Sequence, residues 1–217
     1  WPFAFTKKRR EINGSDEIVR KDIMMLWVKI VVACVPAAVI GVLFDDVFDA
    51  LFSTYVCVAI ALIVFGIAFI VIENWNKGRT PKVNSTSELT YKAVLIIGFF
   101  QLLAAIFPGT SRSGATIVGA LLIGISRTVA ADFTFYMAIP VMFGASLLKV
   151  LKFGFDFTGL EIGLLATGTL VSFVVSIFVL RFLMGYIKKH DFKIFGYYRI
   201  VLGAIVLVFV AFTVLES

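Results

Sequence analysis

Five apolar runs, residues 23–43, 55–73, 130–150, 160–184 and 196–215, set the terms on which this chain can fold. Each is close to the ~20 residues a helix needs to cross a ~30 Å hydrocarbon core. In hydrocarbon every backbone N–H and C=O must be satisfied within the segment, so runs of this length read as helices. The fold expected is all-α, a polytopic integral membrane protein. Composition supports this: 60% of residues are hydrophobic and 16% charged, where a soluble domain carries about a quarter charged.

The charges that remain are placed unevenly. Lys and Arg number 20 against 14 Asp and Glu, a net +6. In a soluble protein that balance would raise nucleic acid as a partner. Here the basic residues sit in short stretches between apolar runs, at 6–22 (Lys7, Lys8, Arg9, Arg10, Arg20, Lys21), 74–92 (Lys77, Arg79, Lys82, Lys92) and 185–195 (Lys188, Lys189, His190, Lys193). That pattern orients spans and attracts anionic headgroups; the expected partners are membrane lipids, with no nucleic acid. The three basic stretches are assigned to the cytoplasmic face. The acidic stretch 44–54, with Asp45, Asp46 and Asp49, reads as an outer loop. Lys29 is expected to snorkel from the end of the first span. Cys34 and Cys57 fall in apolar runs and have no zinc or redox spacing. The opening Trp1-Pro2-Phe3-Ala4-Phe5 resembles the interfacial end of a span rather than a signal peptide, and leads to the expectation that an N-terminal part is missing.

Counting crossings leaves residues 93–125 having to enter and leave from one side. Their two apolar runs, 93–107 and 115–125, make helices of roughly 22 and 16 Å, at 1.5 Å per residue, too short to span comfortably. A re-entrant helical hairpin is expected, with its tip at Pro108-Gly109-Thr110-Ser111-Arg112-Ser113-Gly114. Non-helical backbone at membrane depth occurs only where protein buries it or a wet cavity adjoins it. An arginine there costs at least ~2.5 kcal/mol on insertion scales, so Arg112 calls for an anionic partner or a functional cavity. Gly109 and Gly114 allow close backbone approach. The free N–H groups of the second helix point at the tip, Ser111, Ser113 and Thr116 add hydroxyls, and the guanidinium fork matches phosphate oxygens. The group reads as a phosphate pocket, and a serine within it as a candidate nucleophile. The plain alternative is a turn with Ser111 or Ser113 as helix cap.

Other residues receive quieter readings. Ala115 with Gly119, and Ala120 with Gly124, have the spacing of close helix packing. Pro140 is an expected kink. Asp132 reads as a first-turn acid or as partner to an arginine of the site. Arg199, beside Tyr197 and Tyr198, reads as an interfacial anchor, with a headgroup or salt-bridge role as the alternative. Glu73 and Glu161 read as anchors at span ends, and His190 as a solvated loop residue.

Pro108-Gly109-Thr110-Ser111-Arg112-Ser113-Gly114-Ala115-Thr116 resembles the second signature of the bacterial undecaprenyl-diphosphate phosphatases of the bacitracin-resistance type. Gln101, Gly124-Ile125-Ser126-Arg127, Phe133-Thr134-Phe135, Ala138-Ile139-Pro140, Ile40-Gly41 after Pro36, and Tyr198-Arg199-Ile200 are similar as well. The resemblance implies an inverted-repeat helical bundle in the bacterial inner (plasma) membrane, with a site where two hairpin tips meet. It implies hydrolysis of undecaprenyl diphosphate to undecaprenyl phosphate and phosphate, which recycles the lipid carrier of cell-wall synthesis, aided by a divalent cation such as magnesium or calcium. By that resemblance Arg112, Ser111 and Ser113 would be catalytic, and Gly109, Thr110, Gly114 and Thr116 would bind the polyprenyl diphosphate. The family's glutamate-rich first signature and its Pro-x-Ser-Ser-Thr-Gly-His segment are not found here, and the metal ligands are expected in that missing segment. The chain alone is therefore expected to be inactive and the full-length protein active. A transporter or flippase of a phosphorylated polyprenyl lipid would want the same anion pocket and is the alternative. A homo-oligomer is compatible with either.

Overall fold

The computed structural model describes residues 21–154, 157–187 and 190–215. The basic stretch up to Arg20, the opening Trp1–Phe5, and Lys188 and Lys189 lie outside the described residues. Those described form seven α-helices: α1 Lys21–Phe52, α2 Tyr55–Asn76, α3 Tyr91–Ile106, α4 Arg112–Leu122, α5 Arg127–Phe153, α6 Gly159–Ile187 and α7 Lys193–Leu215, with a 3₁₀ turn at Thr86–Glu88 before α3. Five of them are long and apolar enough to cross a bilayer. The protein is an all-α, multi-pass membrane protein.

The acidic stretch 44–54 is not an outer loop. α1 runs on through Asp45, Asp46 and Asp49 to Phe52, and only Ser53 and Thr54 separate it from α2. An aspartate in a helix costs only about half a kcal/mol, and residues 44–52 contain no proline or glycine to break it. Thr54 starts α2 as its N-cap, its hydroxyl accepting from the Cys57 N–H at 3.3 Å. α5 and α6 continue past their expected limits of 130–150 and 160–184, and α7 begins at Lys193 rather than 196. Pro36 and Pro140 both lie within unbroken helices.

α3 packs on α1, α4 on α2 and α5, and α2 on α7. In the last pair the backbones touch: a Cβ on Gly66 would lie 2.8 Å from the Gly196 carbonyl oxygen, and one on Gly196 2.7 Å from that of Gly66. With no hydrophobic force between helices in lipid, such close approach is the main source of cohesion. One apolar core joins α1, α3 and α5 through Ile30, Val94, Ile97, Phe133 and Met137. A second joins α2, α4 and the α6–α7 turn through Phe69, Ile117, Leu121 and Phe192. Lys29 does not snorkel to water. It is buried, its Nζ donating to the Ser87 carbonyl at 3.5 Å, because α1 packs against the 3₁₀ turn that leads into α3.

The hairpin lies between these cores. Thr90 caps α3, its hydroxyl accepting from Ala93 N–H at 3.2 Å. Pro108 ends the helix by disfavouring α geometry at Phe107, which is extended (φ −109°, ψ 101°). α4 closes on Gly124 at φ +86°, with the Ile125 N–H reaching back to the Ala120 carbonyl at 3.1 Å. The two ends of the hairpin are tied together: Lys82 N–H donates to Gly124 O at 2.8 Å and Ser126 N–H to Val83 O at 2.9 Å. The chain therefore leaves the hairpin where it entered.

Candidate functional site

Residues 107–111 link α3 to α4 in a tight turn set by two left-handed residues. Gly109 has φ +92°, and a Cβ there would come within 2.6 Å of the Val58 carbonyl oxygen, so the tip presses on α2. Ser111, at φ +63°, is the one non-glycine residue with positive φ among the described residues. Such backbone costs roughly 1–3 kcal/mol and tends to persist at functional turns. Ser111 also caps α4, its Oγ accepting from Gly114 N–H at 3.3 Å and lying 3.3 Å from Ser113 Oγ. The capping role and the site role thus fall on the same residue.

Beside the tip, between α3, α4 and α5, is a cavity of about 370 Å³. Gln101, Ser111, Arg112, Ser113, Thr116 and Thr134 form its polar side, and Met137, Val141 and Met142 part of an apolar wall. Arg112 is not sunk between the two short helices. As the first residue of α4 it is exposed on the cavity wall, and no described side chain pairs with its guanidinium. Ser113 is also exposed.

Of the remaining expected binding residues, only Thr116 lines this cavity. Thr110 is fully buried and does not line the cavity; its Oγ1 has no hydrogen-bond partner among the described residues. Thr116 is buried, with its hydroxyl donating to its own helix at Arg112 O and Ser113 O, both 3.0 Å, and meeting Thr134 Oγ1 at 3.0 Å. It fixes α4 to α5 rather than offering a free donor. Gly119 packs on the Phe100 ring and Gly114 on the Arg199 guanidinium, so the small-residue spacing serves packing.

Arg199 is the guanidinium that enters the hairpin. It is not an interfacial anchor: its Nη1 donates to Thr110 O at 2.7 Å, and it lies over the Phe69 ring at 5.5 Å. α7 begins at Lys193, so Arg199 is about 9 Å along the helix, at 1.5 Å per residue; measured from 196 it looked peripheral. Glu73, expected only to anchor, is 1% exposed. It pairs with Arg127, whose Nε lies 2.9 Å from Oε1, and accepts the Phe192 N–H at 3.0 Å. It joins α2, α5 and the turn before α7. Asp132 is in the second turn of α5, not the first. Glu161 forms a reciprocal cap with Thr158, accepting its N–H at 2.7 Å and donating N–H to its hydroxyl at 3.3 Å. His190 is exposed and stacks on Tyr186 at 4.3 Å.

The cavity donors are a guanidinium, hydroxyls and an amide, a set suited to an oxyanion. None of the lining residues is a carboxylate, histidine or cysteine, and no group of such residues able to hold a metal occurs among the described residues. The cavity as built from these residues does not fit a divalent cation.

Fold and site together define a multi-pass α-helical membrane protein with a broken hairpin that carries a guanidinium- and hydroxyl-lined tip. The sequence matches the family described as bacitracin resistance protein BacA over residues 3–205, and the chain belongs to that family. It is 64% identical over 191 residues to an undecaprenyl-diphosphatase of Desulfitobacterium hafniense, covering 88% of this chain and 69% of that protein. It is 61% identical over 198 residues to undecaprenyl-diphosphatase 1 of Clostridium acetobutylicum, covering 91% and 72%. With an undecaprenyl-diphosphatase of Enterococcus faecalis it shares 56% identity over 211 residues, covering 97% and 74%.

Proposed function

We propose that the protein hydrolyses undecaprenyl diphosphate to undecaprenyl phosphate and orthophosphate in the bacterial inner membrane. The observation that carries this reading is Arg112, exposed on a cavity wall beside Ser111 and Ser113 at the tip of a hairpin inside a membrane protein. The shared identity with relatives named undecaprenyl-diphosphatase supports it.

In this reading the diphosphate enters the cavity with its terminal phosphoryl group against α4. Arg112 takes two phosphate oxygens through its fork, and the Ser111 and Ser113 hydroxyls donate to others. Water, or a serine hydroxyl whose phosphate ester a water then hydrolyses, forms a bond to the terminal phosphorus and gives up its proton to solvent. The bond from phosphorus to the bridging oxygen breaks, and its electron pair leaves on undecaprenyl phosphate. Arg112 offsets the charge that builds up on the phosphoryl oxygens, the term that dominates phosphoryl transfer. Gly109 allows the tip to turn, Gly114 leaves room for the Arg199 guanidinium, and Arg199 holds the tip by the Thr110 carbonyl. A base for the nucleophile does not come from the described lining, which has no Asp, Glu or His. The proposal includes a requirement for magnesium or calcium whose protein ligands lie outside this cavity.

The test is phosphate release from undecaprenyl diphosphate by the full-length protein in detergent, with and without EDTA. Release that stops with EDTA and returns with magnesium or calcium is expected. A folded protein that releases no phosphate under any cation would contradict hydrolysis and favour transport of a phosphorylated lipid.

A further inference from the structure

At the other end of α4, some 16 Å from the tip at 1.5 Å per residue, a separate cavity of about 470 Å³ opens at the base of the hairpin. Arg79, Lys82, Ser126, Arg127, Thr128 and His190 contribute to its lining. Its one carboxylate, Glu73, is already committed: it accepts from Arg127 Nε and Nη2 and from the Phe192 N–H. Among the described residues Arg79 and Lys82 have no ion-pair partner, and Arg127 keeps its Nη1 edge. The walls are held in place. Backbone hydrogen bonds join Lys82 to Gly124 and Ser126 to Val83. Asn76 Nδ2 donates to Leu121 O at 3.0 Å, tying the end of α2 to the end of α4. Arg79 is stacked 5.1 Å over Trp75, which limits its rotamers at little entropic cost. A guanidinium, an ammonium and the hydroxyls of Ser126 and Thr128 line this one cavity. The nearby carboxylate that Arg127 also feels, Asp191, is paired with Lys193 at 3.8 Å.

We propose that this cavity binds a phosphate group, at the face that charge bias assigns to the cytoplasm and apart from the Arg112 site. The ligand is either the phosphodiester headgroup of an anionic lipid or free orthophosphate. Both present the tetrahedral oxyanion that a guanidinium fork, an ammonium and hydroxyls recognise. The apolar surface of the neighbouring helices would admit a lipid; the charged floor alone would suffice for the free ion.

The test uses the full-length protein carrying Arg112→Gln, so that the hairpin tip does not contribute, in phosphatidylcholine nanodiscs. One arm titrates orthophosphate by calorimetry at constant ionic strength, which holds screening fixed. The other adds phosphatidylglycerol and counts retained lipid by native mass spectrometry. Saturable binding in either arm is expected, and the arm in which it occurs identifies the source. Arg79→Gln with Lys82→Gln should weaken it by about tenfold or more, the size expected for losing two charge-assisted bonds. Thr128→Ala, which leaves every charge in place, should weaken it less. No saturable binding in either arm, or binding equally strong in the double variant, would overturn the proposal. If the double variant does not fold, Lys82→Gln alone, at an exposed position, decides by the same criterion.

Discussion

Arg112, within the hairpin, and Arg199, reaching it from α7, have different duties. Arg199 supports the turn from α7 through the Thr110 carbonyl, while Arg112 faces the cavity. Between them sits Ser111, where a left-handed backbone and a helix cap coincide. The two effects can be separated. Alanine at 111 keeps the backbone penalty and loses the cap, at about 1 kcal/mol. Glycine loses the cap for a few tenths and relieves roughly 1 kcal/mol of left-handed strain. Ser111→Gly should therefore unfold at a higher temperature than Ser111→Ala in a detergent thermal scan; the reverse order would show that φ at 111 is not strained. The tip's chemistry was legible in the string Pro-Gly-Thr-Ser-Arg-Ser-Gly, but the direction of each side chain was not. Two sign changes of φ within three residues turn Thr110 into the protein while Ser113 stays on the surface. Thr116, one turn further on, falls on the face against α5.

At the level of elements, helix existence was readable from apolar length, and helix ends were not. α1 carries three aspartates beyond its apolar run, and polarity alone was mistaken for a break. What joins the elements was harder still to see. Glu73 lies at an apolar-to-polar boundary, where a carboxylate reads as an anchor; only the tertiary arrangement brings Arg127 and the Phe192 N–H to it. Glu73→Gln keeps an acceptor for that N–H and leaves Arg127 without its counter-charge. With the Arg127 side chain 42% exposed, the cost should fall between that of an exposed and a buried pair, about 2 kcal/mol. A double-mutant cycle with Arg127→Gln, read by thermal unfolding, should return a coupling of that order; additive effects would mean the pair contributes nothing.

For the whole molecule, the parity of crossings rests on charge bias, and the backbone bonds between Val83 and Ser126 and between Lys82 and Gly124 join the two ends of the hairpin. Single cysteines at Lys82 and Leu122, placed in a Cys34→Ala, Cys57→Ala background, should react with a membrane-impermeant maleimide from the same face. A cysteine at Thr158, between α5 and α6, should react from the opposite one. Labelling of Lys82 and Leu122 from opposite faces would mean that the hairpin crosses the membrane.

The account as a whole turns on the guanidinium at the hairpin tip. Phosphate release from undecaprenyl diphosphate should be measured for the full-length wild type and for Arg112→Gln, together with each protein's thermal midpoint. Because the side chain is exposed, the midpoint should hold while the turnover rate falls by about 10²–10³, the loss typical of removing a donor to developing charge. A folded Arg112→Gln protein that releases phosphate at the wild-type rate would contradict the account.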